Sequence, residues 1–363
     1  MEKTKGGRSM LRILHAADLH LDSPFAGLSP EQAAARRRLQ RQLPGQIVDL
    51  GNQQDCDLLL LAGDVFDGAR VCPETVEALQ AAFARCRARI FIAPGNHDPY
   101  TEHGPWAACA WPDHVHIFTG AAEAVTLPDL GCRVWGGAFS GEECHEPLKP
   151  VDGQGLLEIG VYHGDPEKPG PYRYLSRQEI GACGLDYLAL GHIHKTQLPK
   201  KQGKTWYGWP GVALGRGFDE TGVHGVFRVN LDRGTCETEV LPLAGPRYET
   251  VTVPADRMPP LPADSENVIC RMIFTGETEP LDLERLHAQL SPRFLALELR
   301  DETVPPADLW ASCGDGTLRG LALEILKARY DAAQGAERRT AALAARYLLA
   351  ALEGRDAPGK SER

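Results

Sequence analysis

Four features are missing from this sequence, and each absence excludes a class of protein. The ten cysteines include no C-x-x-C pair and follow no regular spacing, which argues against a disulfide scaffold and a thiolate zinc site. No apolar run approaches the roughly 18 residues that span a membrane. Residues 1–9 are polar and lack the apolar core of a signal peptide. We therefore expect a cytoplasmic protein that is not bound to a membrane.

An excess of positive charge is also missing. The formal net charge is −10, with 49 acidic residues against 39 lysines and arginines. This balance argues against a protein that wraps nucleic acid by bulk charge. It does not exclude a local basic groove or a partner that binds nucleic acid.

Length and composition predict more than one domain. The 363 residues exceed one average domain, and the composition changes near Pro242 and again at Pro305. We predict a disordered leader at 1–9, a large α/β domain at 10–245, a small α+β domain at 246–305, C-terminal helices at 306–353 and a disordered tail at 354–363. The strands predicted in the small domain, at 248–253, 268–274 and 294–300, do not end in His or Asp.

Five short apolar stretches each lead into polar side chains. The stretch at 90–93 ends at Pro94-Gly95 and is followed by Asn96, His97 and Asp98. The other four stretches are followed by Asp18 and His20, by Asp64, by His163, and by His192 and His194. Such short runs predict strands buried on both faces, and helices predicted at 30–50 and 73–87 alternate with them. An isolated Asn-His-Asp turn could be mere decoration, but five similar strand ends favour a functional site.

The side chains at these strand ends suit a pair of divalent metal ions. Carboxylate, imidazole and amide oxygen ligands without a cysteine favour Mn²⁺, Fe²⁺ or Zn²⁺, with Mg²⁺ as a further candidate. Two ions about 3.5–4 Å apart need one shared carboxylate and further ligands for each ion. We expect Asp18 and His20 to leave the same face of an extended backbone and to share one ion.

In this order, the motifs resemble those of the calcineurin-like metallophosphoesterases. They are D-x-H at 18–20, G-D at 63–64, G-N-H-D at 95–98, the strand-ending His163 and G-H-x-H at 191–194. Residues 15–25, together with 210–220, look like the SbcD-type DNA-repair exonucleases, which work with a coiled-coil ATPase. The resemblance implies a four-layer αββα sandwich with a small α+β capping domain and C-terminal helices.

The resemblance also implies a role for each residue. Asp18, His20 and His194 would bind the first ion, Asp64 would bridge both ions, and Asn96, His163 and His192 would complete the second site. His97 would protonate the leaving oxygen or steady the scissile phosphate, and Asp98 would orient the His97 ring. Asp67 stands where such nucleases often have a second active-site His, which puts the efficiency or polarity of cleavage in question. Arg216, in a glycine-rich loop, is the predicted phosphate contact.

The resemblance favours a DNA exonuclease, with endonuclease activity as an addition, that uses two divalent metal ions, most readily Mn²⁺. Its expected partners are DNA, an SbcC-like ATPase docked on the C-terminal helices, and a second copy of the chain. A phosphatase or a small-molecule or cyclic-nucleotide phosphodiesterase on the same site is the alternative. A binding scaffold without activity would have lost ligands, and none of the seven is missing.

Overall fold

The computed structural model describes residues 10–26, 28–68, 70–151, 153, 155–255, 257, 261, 264–278, 281–304 and 307–354. The predicted leader at 1–9 lies outside these residues, as does the predicted tail apart from Gly354. The chain divides into two compact units, Met1–Gly245 and Pro246–Arg363. None of the described helices combines the length and the apolar character needed to cross a lipid bilayer.

Strands alternate with helices from residue 11 to residue 117 of the first unit, and strands predominate after that. The strands are β1 (Leu11–Ala16), β2 (Leu58–Leu61), β3 (Arg89–Ile92), β4 (Val115–Ile117), β5 (Glu123–Leu127), β6 (Cys132–Gly136), β7 (Leu157–His163), β8 (Tyr187–Gly191), β9 (Gln197–Gln202), β10 (Thr205–Trp209), β11 (Gly225–Asp232) and β12 (Thr235–Pro242). The helices are α1 (Pro30–Gln40), α2 (Leu43–Gln53), α3 (Pro73–Arg85), α4 (Pro105–Ala108) and α5 (Arg177–Ala182).

The single helix predicted at 30–50 is in fact two helices, α1 and α2. The break falls at Arg41 and Gln42, just before Pro44, which lies in the first turn of α2. Proline lacks the N–H that a continuing helix needs, but it fits the first turn of a new helix.

Two six-stranded sheets form the centre of the first unit. Their strand orders are β12-β11-β1-β2-β3-β4 and β5-β6-β7-β8-β10-β9. Strands β1 to β4 of the first sheet run parallel to one another, as do β6, β7, β8 and β10 of the second, whereas β5, β9, β11 and β12 pair antiparallel with their neighbours. The carboxyl ends of the parallel strands therefore meet along one edge of each sheet, where α/β proteins place their sites.

Side-chain alternation along the strands produces four layers. In β1 and β2, Ile13, Leu58 and Leu60 pack in a core shared with the second sheet, whereas Leu14 and Leu59 pack against the helices α2 and α3. The outer face of the second sheet packs against α5 through a third cluster that includes Ile180. The central strands β1, β2, β7 and β8 are buried on both faces, which is why their sequences are nearly continuous apolar runs. The predicted αββα sandwich is confirmed.

The second unit, described by itself, combines a small parallel sheet with helices. Its strands β13 (Arg247–Pro254), β14 (Val268–Thr275) and β15 (Ala296–Asp301) lie in the order β13-β14-β15, and α6 (Leu283–Leu290) packs on them. The helices α7 (Leu318–Ala332) and α8 (Gly335–Leu352) pack together around Leu323 and Ala345. The assignment of these parts to a capping domain and to partner-docking helices stays a prediction.

A buried histidine connects the two sheets through two hydrogen bonds inside the shared core. His15 of β1 is fully buried; its Nε2–H donates to the Leu190 carbonyl at 3.0 Å, and its Nδ1 accepts from the Tyr187 hydroxyl of β8 at 2.9 Å. Burial lowers the pKa of His15 to about 3. The ring is therefore neutral in the folded protein over a range in which an unfolded histidine, with a pKa near 6.5, takes up a proton.

We expect His15 to make stability depend on pH. Between pH 6.5 and 3 the unfolded state binds more protons than the folded state, so stability falls as the pH falls. From pH 7 to pH 5 this one group removes about 2 kcal/mol. In urea unfolding, His15→Gln should have a lower free energy of unfolding than wild type at pH 7. At pH 5 this difference in free energy should be smaller by about 2 kcal/mol, because only the wild type loses the contribution of His15. The exposed His145→Gln is the control. An equal difference in free energy of unfolding at both pH values would contradict the role of His15 in the pH dependence of stability.

Candidate metal centre

The strand ends of both sheets bring the predicted ligands together. Among the described residues, ligand atoms converge in three groups: Asp18, His20 and His194; His20, Asp67 and His97; and Asp18, Asp64 and His163. Five of the seven predicted ligands belong to these groups. Asn96 joins through its Oδ1, which lies 3.0 Å from His163 Nε2.

The D-x-H motif is not extended, contrary to expectation. Asp18 and His20 both adopt left-handed backbone, with φ of 51° and 46°. Backbone bonds hold them there: Asp18 N–H donates to the Gly63 carbonyl and His20 N–H to the Asp64 carbonyl. Asp64 and His192 also have positive φ. Such backbone costs about 1–3 kcal/mol per non-glycine residue and concentrates at functional sites.

Two histidines face each other in the first group. His20 Nδ1 lies 2.8 Å from the Asp67 carboxylate, and His194 Nδ1 lies 2.7 Å from the Glu220 carboxylate. A carboxylate only accepts hydrogen bonds, so both Nδ1 atoms carry hydrogen, and in the neutral rings both Nε2 atoms present lone pairs. These two Nε2 atoms are 3.1 Å apart. Facing lone pairs repel unless a proton or a metal cation lies between them, so the pair offers two nitrogen ligands to a metal ion.

The third group, Asp18, Asp64 and His163, also directs a histidine nitrogen at a carboxylate. His163 Nδ1–H donates to the Ala62 carbonyl at 2.9 Å, and Nε2 points at Asp64 Oδ2, 3.3 Å away. Burial lowers the pKa of His163, but the Asp64 carboxylate more than offsets that effect and raises the pKa to about 9. Burial would raise the pKa of Asp64, yet His163 and His20 hold it below its usual range. Positive charge is favoured here, and a divalent ion would supply it in place of the proton.

His192 reaches the site differently. Its backbone N–H donates to both oxygens of Asp18, at 3.0 and 3.1 Å, and its ring lies edge-on to the His163 ring. Burial and the neighbouring His163 lower the pKa of His192 to about 4, so the ring is neutral at pH 7. Its ring nitrogens are in none of the three groups that the described residues form, so the ligand role of His192 stays a prediction.

Asp98 does not orient His97, and that expectation is corrected. Its buried carboxylate accepts hydrogen bonds from four backbone N–H groups, those of Asp64, Val65, Phe66 and Gly95. These four bonds occupy the lone-pair positions of the carboxylate. Burial and the nearby Asp64 raise the pKa of Asp98 to about 7. Asp98 therefore fixes the loop that holds Asp64 against the turn that carries Asn96.

Asp67, and not Asp98, is the carboxylate that lies against the His97 ring. His97 is 45% exposed at its side chain, and its Nδ1 lies 3.4 Å from Asp67 Oδ1. The His97 ring stands edge-on to His20 at 4.9 Å, and its backbone N–H donates to Asp64 Oδ1. His97 is thus next to the candidate metal site and open to solvent, as a proton donor to a bound substrate must be.

Sequence reasoning assigned no role to Glu220, although it is part of the site. Its carboxylate holds His194 and also accepts from the Arg216 backbone and guanidinium. Asp67 was noted only as a departure from the family pattern. An acidic residue at the end of a glycine-rich loop that follows a predicted strand is the sequence signal that could have identified Glu220.

Gly95 shows how closely the loops pack at the site. A Cβ at this position would collide with the carboxylate and the backbone nitrogen of Asp64. A glycine between the strand and Asn96 is therefore a steric requirement, because any side chain would displace Asp64.

Comparison with known proteins agrees with this geometry. A family model described as calcineurin-like phosphoesterase matches residues 11–196. The chain is 32% identical over 247 residues to the uncharacterized metallophosphoesterase YhaO of Bacillus subtilis, covering 63% of this chain and 59% of YhaO. It is 38% identical over 97 residues to a subunit of the nuclease SbcCD from Rhodobacter capsulatus, covering 24% of this chain and 22% of that protein. The chain thus spans less than two thirds of either relative.

A solved structure is also similar to part of the chain. TT1561 of Thermus thermophilus matches with 14% identity and a TM-score of 0.39, covering 64% of this chain and 99% of TT1561.

Proposed function

Since the chain belongs to the calcineurin-like phosphoesterases, we propose that it is a DNA nuclease that hydrolyses phosphodiester bonds with two divalent metal ions. The observation that supports two ions is the position of Asp64. Its Oδ2 lies 3.3 Å from His163 Nε2 and 3.8 Å from His20 Nε2, so one carboxylate oxygen is within reach of both groups of ligands. A shared carboxylate is what a dinuclear site requires.

In the proposed site, each ion has its own ligands. Asp18, His20 and His194 would hold the first ion, Asn96, His163 and His192 the second, and Asp64 both. Such ions supply Lewis acidity toward the phosphate and lower the pKa of water. The oxygen and nitrogen ligands, without a cysteine, favour Mn²⁺. The chain itself positions the imidazoles through Asp67, Glu220 and the Ala62 carbonyl.

His97 would supply the proton. Its exposed ring is attached to the turn that carries Asn96, and Asp67 lies against its Nδ1. With Nδ1–H directed at Asp67, Nε2 would carry the second proton of an imidazolium, and this is the proton that His97 would donate to the oxygen of the leaving group.

DNA is the proposed substrate on two grounds. Residues 15–25 and 210–220 resemble SbcD-type nucleases, and 97 residues are similar to the SbcCD nuclease subunit of Rhodobacter capsulatus. The net charge of −10 counts against DNA binding by the chain alone. We therefore propose that an SbcC-like ATPase, or a second copy of the chain, supplies part of the electrostatic attraction, and that the second unit provides the capping domain and the docking helices.

Cleavage assays on the full chain test the proposal. The chain with Mn²⁺ is expected to degrade linear duplex or single-stranded DNA and to hydrolyse bis-p-nitrophenyl phosphate, a small diester, whereas a sample treated with EDTA should be inactive. An Asp64→Ala preparation controls for contaminating nucleases. Intact DNA, together with rapid turnover of p-nitrophenyl phosphate or a cyclic nucleotide, would overturn the proposal in favour of a phosphatase or a small-molecule phosphodiesterase.

A further inference from the structure

We infer that Arg216 is a positioning residue, which holds two histidine ligands of the proposed first ion through their carboxylate partners. The inference rests on the metal site of the proposed function. It assigns Arg216 a task other than the phosphate contact expected from the sequence.

The guanidinium of Arg216 lies between Asp67 and Glu220. Its Nη1 donates to Asp67 Oδ1 at 3.2 Å and its Nη2 to Glu220 Oε1 at 3.1 Å; the Arg216 backbone N–H donates to Glu220 Oε2 at 2.8 Å. We call these three residues the carboxylate bridge. Asp67 belongs to the loop after β2, whereas Arg216 and Glu220 belong to the loop after β10. The bridge therefore ties together loops from the two sheets.

Each end of the carboxylate bridge holds one imidazole. Asp67 accepts from His20 Nδ1–H, Glu220 accepts from His194 Nδ1–H, and the two Nε2 atoms face each other at 3.1 Å. The contacts thus close a ring of five side chains. Both histidines depend on it for their tautomer and for the direction of their lone pairs.

Charge explains why an arginine occupies the centre. The side chains of Asp67 and Glu220 are only 11% and 7% exposed, so both carboxylates need a nearby cation. A guanidinium presents several N–H donors in a fixed planar fork and can serve two carboxylates at once, whereas an ammonium is a single point charge. Arg216→Lys should therefore replace the bridge only in part.

Two roles for Arg216 predict different measurements. A positioning residue affects Mn²⁺ binding in the absence of substrate and lowers kcat, with little change in KM. A phosphate contact leaves Mn²⁺ binding unchanged, raises the KM for DNA and makes binding less dependent on salt when it is removed.

Calorimetric titration of Mn²⁺ into the metal-free full chain tests the inference. Arg216→Gln should weaken one of the two Mn²⁺ binding steps by about 10–100-fold, as is typical when a partner of a metal ligand is lost. Arg216→Lys should give an intermediate loss, and the exposed Arg85→Gln none. The kcat for bis-p-nitrophenyl phosphate should fall with little change in KM. If Arg216→Gln does not fold, as judged by circular dichroism in EDTA, Arg216→Lys decides the question.

Wild-type Mn²⁺ binding by the folded variant would overturn the inference, whether or not the KM for DNA rises. The titration contains no DNA, so its result is separate from that of the cleavage assay. A chain that binds Mn²⁺ but leaves DNA intact would fail the proposed function and could still show the effect of Arg216.

Discussion

Asp64→Ala is expected to abolish phosphodiester hydrolysis and to lower Mn²⁺ binding at both sites. Asp64 is buried, and its Oδ2 lies within 3.8 Å of Nε2 atoms from both groups of histidine ligands. Without the carboxylate, both proposed ions would lose a charged ligand that they share. The loss in kcat/KM should exceed the roughly 100-fold that removal of a ligand's hydrogen-bond partner costs.

Elemental analysis after dialysis, with a bis-p-nitrophenyl phosphate assay in parallel, measures this effect. Asp64→Asn keeps the volume and one oxygen but loses the charge, so it should also lose metal. Asp129→Asn removes an exposed carboxylate paired with Arg89 and is the matched control. Two bound ions in Asp64→Ala would show that this carboxylate is not shared between them.

His97→Ala is expected to keep both ions and to lower kcat by about 10²–10⁴-fold on DNA, the usual contribution of general acid–base catalysis. His97 is the remaining histidine at the site, exposed and held by Asp67, once the proposed ligands are assigned. The loss should depend on the leaving group. p-Nitrophenolate departs with little need of a proton, whereas the alkoxide that leaves from DNA must take one. The variant should therefore lose less activity on bis-p-nitrophenyl phosphate than on DNA.

Turnover of both substrates by His97→Ala gives this comparison, with metal content measured on the same sample. His145→Ala, which removes an exposed histidine beside Glu143, is the control. Equal losses on the two substrates would exclude a proton donor and favour a role in holding the phosphate. Loss of metal would make His97 a ligand.

The sandwich could be predicted because its physical causes are local. A short apolar run such as β2, with Leu58 to Leu61 buried on both faces, fits only a sheet that is covered on both sides. Polar residues at the ends of such strands meet wherever the strands run parallel, which is how Asp18, Asp64 and His163 were identified. Pro44 gives a local signal too, and the break between α1 and α2 could have been predicted from it.

The supports of the ligands could not be predicted, because they depend on distances across the fold. Asp67 and Arg216 are 149 residues apart in sequence yet in contact. Asp98 looked like the partner of its neighbour His97, but in the folded chain its carboxylate turns toward the backbone of 64–66. Left-handed backbone at Asp18 and His20 is imposed by bonds to the loop after β2, which alternation along a strand cannot reveal.

The most direct test of a dinuclear site is the number and coupling of the ions that the wild-type chain binds. The metal-free protein would be titrated with Mn²⁺, dialysed, and studied by elemental analysis and electron paramagnetic resonance. We predict two Mn²⁺ per chain with the spectrum of a spin-coupled pair, because Asp64 would hold the ions about 3.5–4 Å apart. One uncoupled ion per chain at saturation, or no bound ion, would contradict the account.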